Sequence, residues 1–396
     1  MSLPPYNFFN GRAFKNVHPS EVIKGSVSKK LEGKKIILGI TGSIACVECV
    51  KIARELIRHG ADVVALMSEE ACKILGYQAM EFATGKKVIT EISGNVEHVS
   101  IEGDLLLIAP CTANTISKIA LGIADNVITS FAIAFTKKIL IVPSMHLSMY
   151  KNEFLQENIE KCRKKGVKFI LPKIEEGKAK MAGIENIVED VIRILKGGKE
   201  DKKVLIIGGA THEPIDDVRV ITNLSSGKMA KALAKEAYER GAEVTLWASF
   251  EPYDFIENKK FSSIKNLINM IEESEKKYDV AINCSAISDF VIDKKRGKIK
   301  SGKEVNLKLK PAPRINPMLK KIAKIVIAFK LEEKEEEVST KAYEMIEKDG
   351  VDYAIGNTVE SIGKEYTKIW IFGKEGLIKK MEGKKEEVAE YIIDLI

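Results

Sequence analysis

The sequence predicts an α/β protein built from two doubly wound, mostly parallel sheets in series. Three observations carry that prediction. Short runs at 35–40, 105–109 and 204–207 are apolar at nearly every residue rather than at alternate ones, as strands covered on both faces require. Helical periodicity separates successive runs. A strand, a glycine turn and a helix follow one another twice, at 35–58 and at 204–240, once in each half.

Taken in order, 35–40 is a buried strand, 41–45 (TGSIA) its turn and 47–58 a helix stopped by His59 and Gly60. Strands follow at 61–67, 105–109, 139–142 and 167–171, with helices between them. The polar, glycine-containing stretch 196–203 reads as a linker. The pattern then restarts with strands at 204–207, 243–247, 280–283, 325–329, 353–355 and 369–372 and helices near 229–240, 264–277 and 335–349. Residues 298–310 alternate like an exposed hairpin arm. The expected domains are an N-terminal arm (1–33), a first domain (34–195), the linker (196–203) and a second domain (204–396).

Composition narrows the class. A length of 396 residues suits two or three domains, and a hydrophobic fraction of 45% suits ordinary globular cores. No apolar run approaches the roughly 18 residues of a membrane span, and the start of the chain lacks a signal-peptide core. A soluble cytoplasmic protein without a membrane partner is expected. The six cysteines are scattered, so a disulfide framework is not expected. Cys46 and Cys49 have CxxC spacing but no second pair to complete a zinc site. They read either as small residues packed on a sheet or as a redox dithiol at a helix start. The net charge of +7 is spread among interspersed Lys and Glu. That pattern fits a solvated surface or attraction to phosphorylated small molecules. Nucleic acid is not an expected partner, because no basic stripe is interleaved with aromatics.

Candidate sites lie just beyond strand ends, where open α/β sheets bind ligands. Gly42, Ser43 and Ile44 could cradle one phosphate at a helix start. The run 109–115 (APCTANT) offers Thr112, Asn114 and Thr115 to a flavin edge, and 143–150 (PSMHLSMY) follows the next strand. His98 reads as a surface histidine beside Glu97 or as an acid/base group. In the second half, 208–229 carries Arg219, Asn223, Ser225, Ser226, Gly227 and Lys228 into a helix start, a loop richer than a phosphate turn needs.

These segments, with 98–100 (HVS) and 122–126 (GIADN), resemble the flavin-containing cysteine decarboxylases. The loop 208–229 resembles phosphopantothenate–cysteine ligases. The two in this order resemble the bifunctional proteins of coenzyme A biosynthesis. The resemblance implies a flavodoxin-like or Rossmann-like flavoprotein domain followed by a Rossmann-like ligase domain. It implies FMN and Mg2+ as cofactors. Cysteine would be joined to 4′-phosphopantothenate through an acyl-cytidylate made from CTP, and the product decarboxylated to 4′-phosphopantetheine. FMN would oxidise the thiol end to make an electron sink, and the enethiol left by decarboxylation would then be reduced.

By resemblance, His98, Asn223 and Lys298 are catalytic. Gly42, Ser43, Ile44, Ser68, Ala109, Pro110, Thr112 and Asn114 contact the flavin, and His146, Met149 and Arg219 contact substrate. The nucleotide falls to Ser226, Gly227, Lys228, Asn283, Cys284, Ser285, Asp289, Lys298, Ala312, Pro313, Arg314, Ile315 and Phe329, with Asp289 also at the metal. The family pattern is broken in three places. His146 stands where Asn is usual. The flap segment 175–181 (EEGKAKM) has no cysteine, leaving Cys111 and Cys162 as substitutes to weigh. Two later lysines are replaced near Met345 and Asp349, with Lys341 and Lys348 close by. The resemblance also implies a homo-oligomer, with trimers through the first half, dimers through the second and a dodecamer overall. Two rival readings are a ligase whose first half only binds flavin and oligomerises, and a non-catalytic regulatory flavoprotein.

Overall fold

The computed structural model describes residues 17–302 and 304–396. The chain divides between Lys196 and Gly197 into two compact units.

The first unit contains β1 (Lys35–Ile40), β2 (Asp62–Met67), β3 (Leu105–Cys111), β4 (Lys138–Pro143), β5 (Met145–His146), β6 (Lys168–Phe169), β7 (Lys173–Glu175) and β8 (Lys178–Lys180). Its main sheet has the order β2–β1–β3–β4–β6, and all pairs are parallel. Every residue of β3 is buried, which is why its sequence does not alternate. Helix Cys49–Arg58 buries Cys49, Ile52, Ala53, Leu56 and Ile57, a stripe of helical spacing that packs on the sheet. A 3-10 turn, Ile44–Glu48, precedes it, so the α-helix starts later than Val47. The strand expected at 167–171 is only two residues long.

Residues 1–16 of the expected arm lie outside the described residues. The rest of it packs on the first unit. Pro19–Ile23 is a helix, Leu31 is fully buried, and the Val27 N–H donates to the Arg58 carbonyl at 3.0 Å. A polar stretch can be held this way by a few backbone hydrogen bonds and one apolar anchor, which periodicity does not reveal.

The second unit contains β9 (Lys203–Gly208), β10 (His212–Pro214), β11 (Val220–Thr222), β12 (Glu243–Ala248), β13 (Glu257–Lys260), β14 (Tyr278–Asn283), β15 (Phe290–Ile292), β16 (Leu309–Pro311), β17 (Ala323–Glu332), β18 (Tyr353–Thr358), β19 (Tyr366–Gly373) and β20 (Gly376–Lys384). The main sheet runs β13–β12–β9–β14–β17–β18–β19–β20, parallel up to β18 and antiparallel beyond it. Two apolar layers cover its faces, one around Trp247, Phe261 and Phe372 and one around Leu233, Leu246 and Ile392. The arm expected at 298–310 pairs only at its base, where β15 meets β16. Among the described residues, 298–302 and 304–308 form no strand.

In both units the chain leaves the central strand and winds outward in two directions. The reversal lies between β1 and β3 in the first and between β9 and β14 in the second. Loops leaving those strands at their carboxyl ends flank a crevice. Among the described residues no helix is long and apolar enough to cross a membrane.

Candidate functional site

In the first unit, three loops are tied together at the carboxyl edge of the sheet. The Thr41 hydroxyl donates to the Pro110 carbonyl at 2.8 Å and accepts the Thr112 N–H at 3.1 Å. Gly42 approaches Glu70 so closely that a β-carbon there would lie 2.4 Å from the Glu70 β-carbon. The Ser43 and Ser144 hydroxyls are hydrogen-bonded at 3.1 Å, joining the loop after β1 to the loop after β4. Thr112 caps helix Ala113–Leu121, and Ser68 caps helix Glu69–Ile74. The Ala109–Pro110 peptide is cis. Asn114 stands exposed in the first turn and has no hydrogen-bond partner among the described residues. Ile44, on the loop after β1, is 74% exposed.

His98 lies in the short helix Glu97–Ser100. Glu97 is tied to Ser93. Its carboxylate accepts the Ser93 N–H at 2.8 Å and the Ser93 hydroxyl at 2.5 Å, which holds its pKa below the usual range. His98 Nδ1 is buried without a hydrogen-bond partner. An unpaired buried ring nitrogen is costly in a merely structural role.

His146 is exposed on β5, and its register partner is Lys178 on β8. The hairpin β7–β8 turns at Glu176 and Gly177, both with positive φ, and occupies the place of the flap. Met149 follows His146 on a short helix and is half-exposed. The two cysteines weighed as flap substitutes are core residues. Burial pushes the Cys111 thiol well above its ordinary value and the Cys162 thiol up to about 11. Cys46 and Cys49 are also buried and raised, opposite to a redox dithiol, and the Cys49 thiol donates to the Ala109 carbonyl at 3.2 Å.

In the second unit, a cavity of about 780 Å³ opens beside the carboxyl ends of β14, β17 and β18. One wall is the loop 222–230, which enters helix Lys228–Glu239 through Gly227. Gly227 has φ +68, and a β-carbon there would lie 2.3 Å from the Phe250 ring, so only glycine fits. The opposite walls are 283–289, 312–316 and Phe329. The Asn223 amide reaches across and donates to the Ile287 carbonyl at 3.1 Å. Asn283 is buried; its carbonyl oxygen accepts the Ser285 hydroxyl at 2.5 Å, and its amide donates to Asn316 at 2.7 Å. The Asp289 carboxylate is exposed and has no protein partner among the described residues. Burial pushes the Cys284 thiol up to about 12, and that thiol donates to the Ile207 carbonyl at 3.3 Å.

The cavity thus gathers Asn223, Ser226, Gly227, Lys228, Asn283, Cys284, Ser285, Asp289, Ala312, Pro313, Arg314, Ile315 and Phe329, but neither Arg219 nor Lys298. Arg219 is held elsewhere. Its guanidinium donates to Asp216 at 2.8 Å and to the Ile299 carbonyl at 3.0 Å. Asp216 also accepts N–H groups from Val218, Arg219 and Ile299, which lower its pKa. Asp217 accepts the Gly297 N–H at 2.7 Å and pairs with Lys294 at 2.6 Å. Loop 215–219 is therefore the anchor of the arm that carries Lys298, and Lys298 itself is exposed on that arm.

Two further residues on the cavity wall, Asp349 and Lys385, are not among the site residues expected from the sequence. Asp349 pairs with Arg314 and accepts the Asn316 amide at 3.1 Å, so this position presents a carboxylate rather than a cation. Lys341 and Lys348, weighed as substitutes, both pair with Glu344 instead. Lys385 opens the C-terminal helix Lys385–Asp394 and is 6% exposed. A doubled lysine before an amphipathic helix was its only trace in the sequence.

Comparison with known proteins agrees with this division. The Flavoprotein family matches residues 24–196, and the family described as DNA/pantothenate metabolism flavoprotein C-terminal domain matches 199–396. The coenzyme A biosynthesis bifunctional protein CoaBC of Thermococcus kodakarensis is 46% identical over 96% of this chain and 99% of its own length. The protein of the same name from Methanocaldococcus jannaschii is 41% identical over 96% of this chain and 97% of its own. The crystal structure of the DNA/pantothenate metabolism flavoprotein from Streptococcus pneumoniae is 26% identical, spans 49% of this chain and 97% of its own, and superposes with a TM-score of 0.44.

Proposed function

The chain belongs to the family of coenzyme A biosynthesis bifunctional proteins, with a flavoprotein decarboxylase half and a ligase half, and from that premise we propose which residues carry each step. The observation that carries the proposal is the second-unit cavity, where Asn223, Gly227 and Lys228 on the loop and helix start face Asp289 across one space.

In the ligase half the substrate is CTP. Its phosphates lie against the first N–H groups of helix Lys228–Glu239 and the Lys228 ammonium. A carboxylate oxygen of 4′-phosphopantothenate attacks the α-phosphorus, the bond to the β-phosphate breaks, and pyrophosphate leaves. The cysteine amine then attacks the acyl carbon and CMP leaves. Asn223 orients the acyl group, and Lys298 on the anchored arm neutralises developing charge. Mg2+ fits at Asp289, because one unpartnered carboxylate beside phosphates suits that ion. Ser226, Asn283, Ser285, Arg314 and Phe329 surround the nucleotide.

In the decarboxylase half, FMN fits the crest made by Gly42–Ile44, Ser68, Ala109, Pro110, Thr112 and Asn114, where an unpartnered amide and an exposed Ile44 await a polar-edged ring. FMN held there would supply the two-electron sink and source that thiol oxidation and the later reduction need. His98 moves protons through a ring that no protein group saturates. His146 donates to the substrate carboxylate, and Met149 lines the same side.

The chain works in the cytoplasm as a homo-oligomer, with trimers through the first half and dimers through the second, up to a dodecamer. One reaction tests the assignment. Protein, FMN, 4′-phosphopantothenate, cysteine, Mg2+ and CTP are incubated, with an ATP parallel, and products are read by mass spectrometry. The expected product is 4′-phosphopantetheine. Neither it nor 4′-phosphopantothenoylcysteine with CTP would overturn the reading.

A further inference from the structure

We propose that Lys385 is a positioning residue of the ligase, a buried cation that holds the outer phosphates of the nucleotide opposite Lys228. The proposal rests on the nucleotide reading of the second-unit cavity and adds to it a residue from the far end of the chain.

Lys385 lines that cavity although it is almost wholly buried. Among the described residues its ammonium has one acceptor, the Ser361 carbonyl at 3.2 Å, and no carboxylate within ion-pair distance. An ammonium has three N–H donors. Lysines are almost never buried unless paired. The carbonyl it does use is rigidly presented. Ser361 is buried, its hydroxyl donates to the Thr358 carbonyl at 2.8 Å and accepts the Asn357 amide at 2.9 Å.

The neighbouring charges make the environment less comfortable still. Burial, and after it the Lys228 ammonium, lower the Lys385 pKa. Lys228 is itself tied to Glu365 and to the Gly363 carbonyl at 3.0 Å. The Lys228 and Lys385 ammonium groups line this end of the cavity, whereas Glu365 and Glu386, the two carboxylates that act on Lys385, do not line it, so the wall presents positive charge. The partial positive charge at the start of helix Lys228–Glu239 adds to it. A multiply charged anion satisfies all of these groups together. A nucleoside monophosphate or a lone carboxylate does not carry enough charge to do so. The chemistry recognised is therefore a polyphosphate tail. Asp349, which stands at a cavity wall paired with Arg314, supplies no cation there, so the charge has to come from another element. Lys385 supplies it from the helix after β20.

The test compares the full chain with Lys385→Met and Lys385→Arg. Met keeps the length and apolar character of the stem, so the fold is retained. Binding of CTP, CMP and inorganic pyrophosphate is measured calorimetrically. Thermal midpoint and decarboxylation of presynthesised 4′-phosphopantothenoylcysteine report on folding. For Lys385→Met, CTP and pyrophosphate should bind about tenfold to hundredfold more weakly, with CMP within about twofold of wild type. Lys385→Arg should recover part of the CTP affinity. Unchanged CTP binding in Lys385→Met, or equal weakening of CTP and CMP, would overturn the role of Lys385 while leaving the cavity a nucleotide site. A wild-type chain that binds neither CTP nor pyrophosphate would instead overturn the nucleotide reading, and the proposal with it.

Discussion

Gly208→Ala probes the link between a buried contact and ligase chemistry. Gly208 ends β9, and a β-carbon there would lie 2.1 Å from the Ala230 β-carbon. Its backbone is not left-handed, so the conflict is one of space alone. Carbon atoms rest about 3.5–4.0 Å apart, so the start of helix Lys228–Glu239 must retreat by roughly 1.5 Å. Overpacking of this kind costs about 1–3 kcal/mol. In a unit of this size each kcal/mol lowers the melting midpoint by about 2–4 °C. The larger effect is local. That helix start carries Gly227 and Lys228 on the cavity wall, and misplacing reacting groups by about 1 Å can cost about a hundredfold in rate. Ligation should fall by about that factor in kcat/KM, with decarboxylation of presynthesised substrate unchanged. Gly208→Ala combined with Ala230→Gly removes the colliding methyl. It should regain most of the ligation, less about 1 kcal/mol of stability for glycine in a helix. A single variant that ligates like wild type, or a double variant no better than the single, would refute the reasoning.

Three further outcomes are expected. His98→Asn should keep its flavin spectrum and its ligation while carbon dioxide release falls by about 10²–10⁴-fold; normal release would remove His98 from proton transfer. Asp216→Asn keeps one carboxyl oxygen for the Val218 and Arg219 N–H groups but turns an NH2 toward Ile299 and the Arg219 guanidinium. Ligation should drop and limited proteolysis at 296–302 should quicken, without loss of decarboxylation. Finally, the buried thiols predict alkaline instability. Cys162 and Cys284 are pushed up to about 11 and about 12 in the fold, against about 8.5 when unfolded. Their stabilising contribution is complete below about pH 8.5 and is lost as pH rises through the folded values. Urea unfolding at neutral and alkaline pH should show the decline, and Cys162→Ala/Cys284→Ala should flatten it.

The sequence revealed what depends on local pattern. β3 and β9 are legible because a strand buried on both faces must be apolar throughout, and the turn at Gly227 because only a residue without a β-carbon fits beneath Phe250. Pairing across long separations left no such trace. Arg219 lies on a ligand-like loop, yet its partner is Asp216 and the arm carbonyl of Ile299, 80 residues away. Asp349 and Lys385 reach the cavity from the ends of elements whose periodicity concerns only their packed faces. The 298–310 alternation resembled a strand pair but pairs only at its base, where β15 meets β16. The buried, unpartnered nitrogen of His98 is a property of surroundings rather than of residue type.

The hairpin β7–β8 is stitched to β5 through main-chain pairing of Met145 with Ala179 and His146 with Lys178, and the Leu147 N–H donates to the Gly177 carbonyl at 3.1 Å. Backbone stitching is indifferent to side-chain identity. The hairpin can therefore exchange its chemical groups without losing its station over the loop that bears His146. Side chains on such a segment are tools on an unchanged handle, and a donor introduced at Lys178 would arrive already in register with His146.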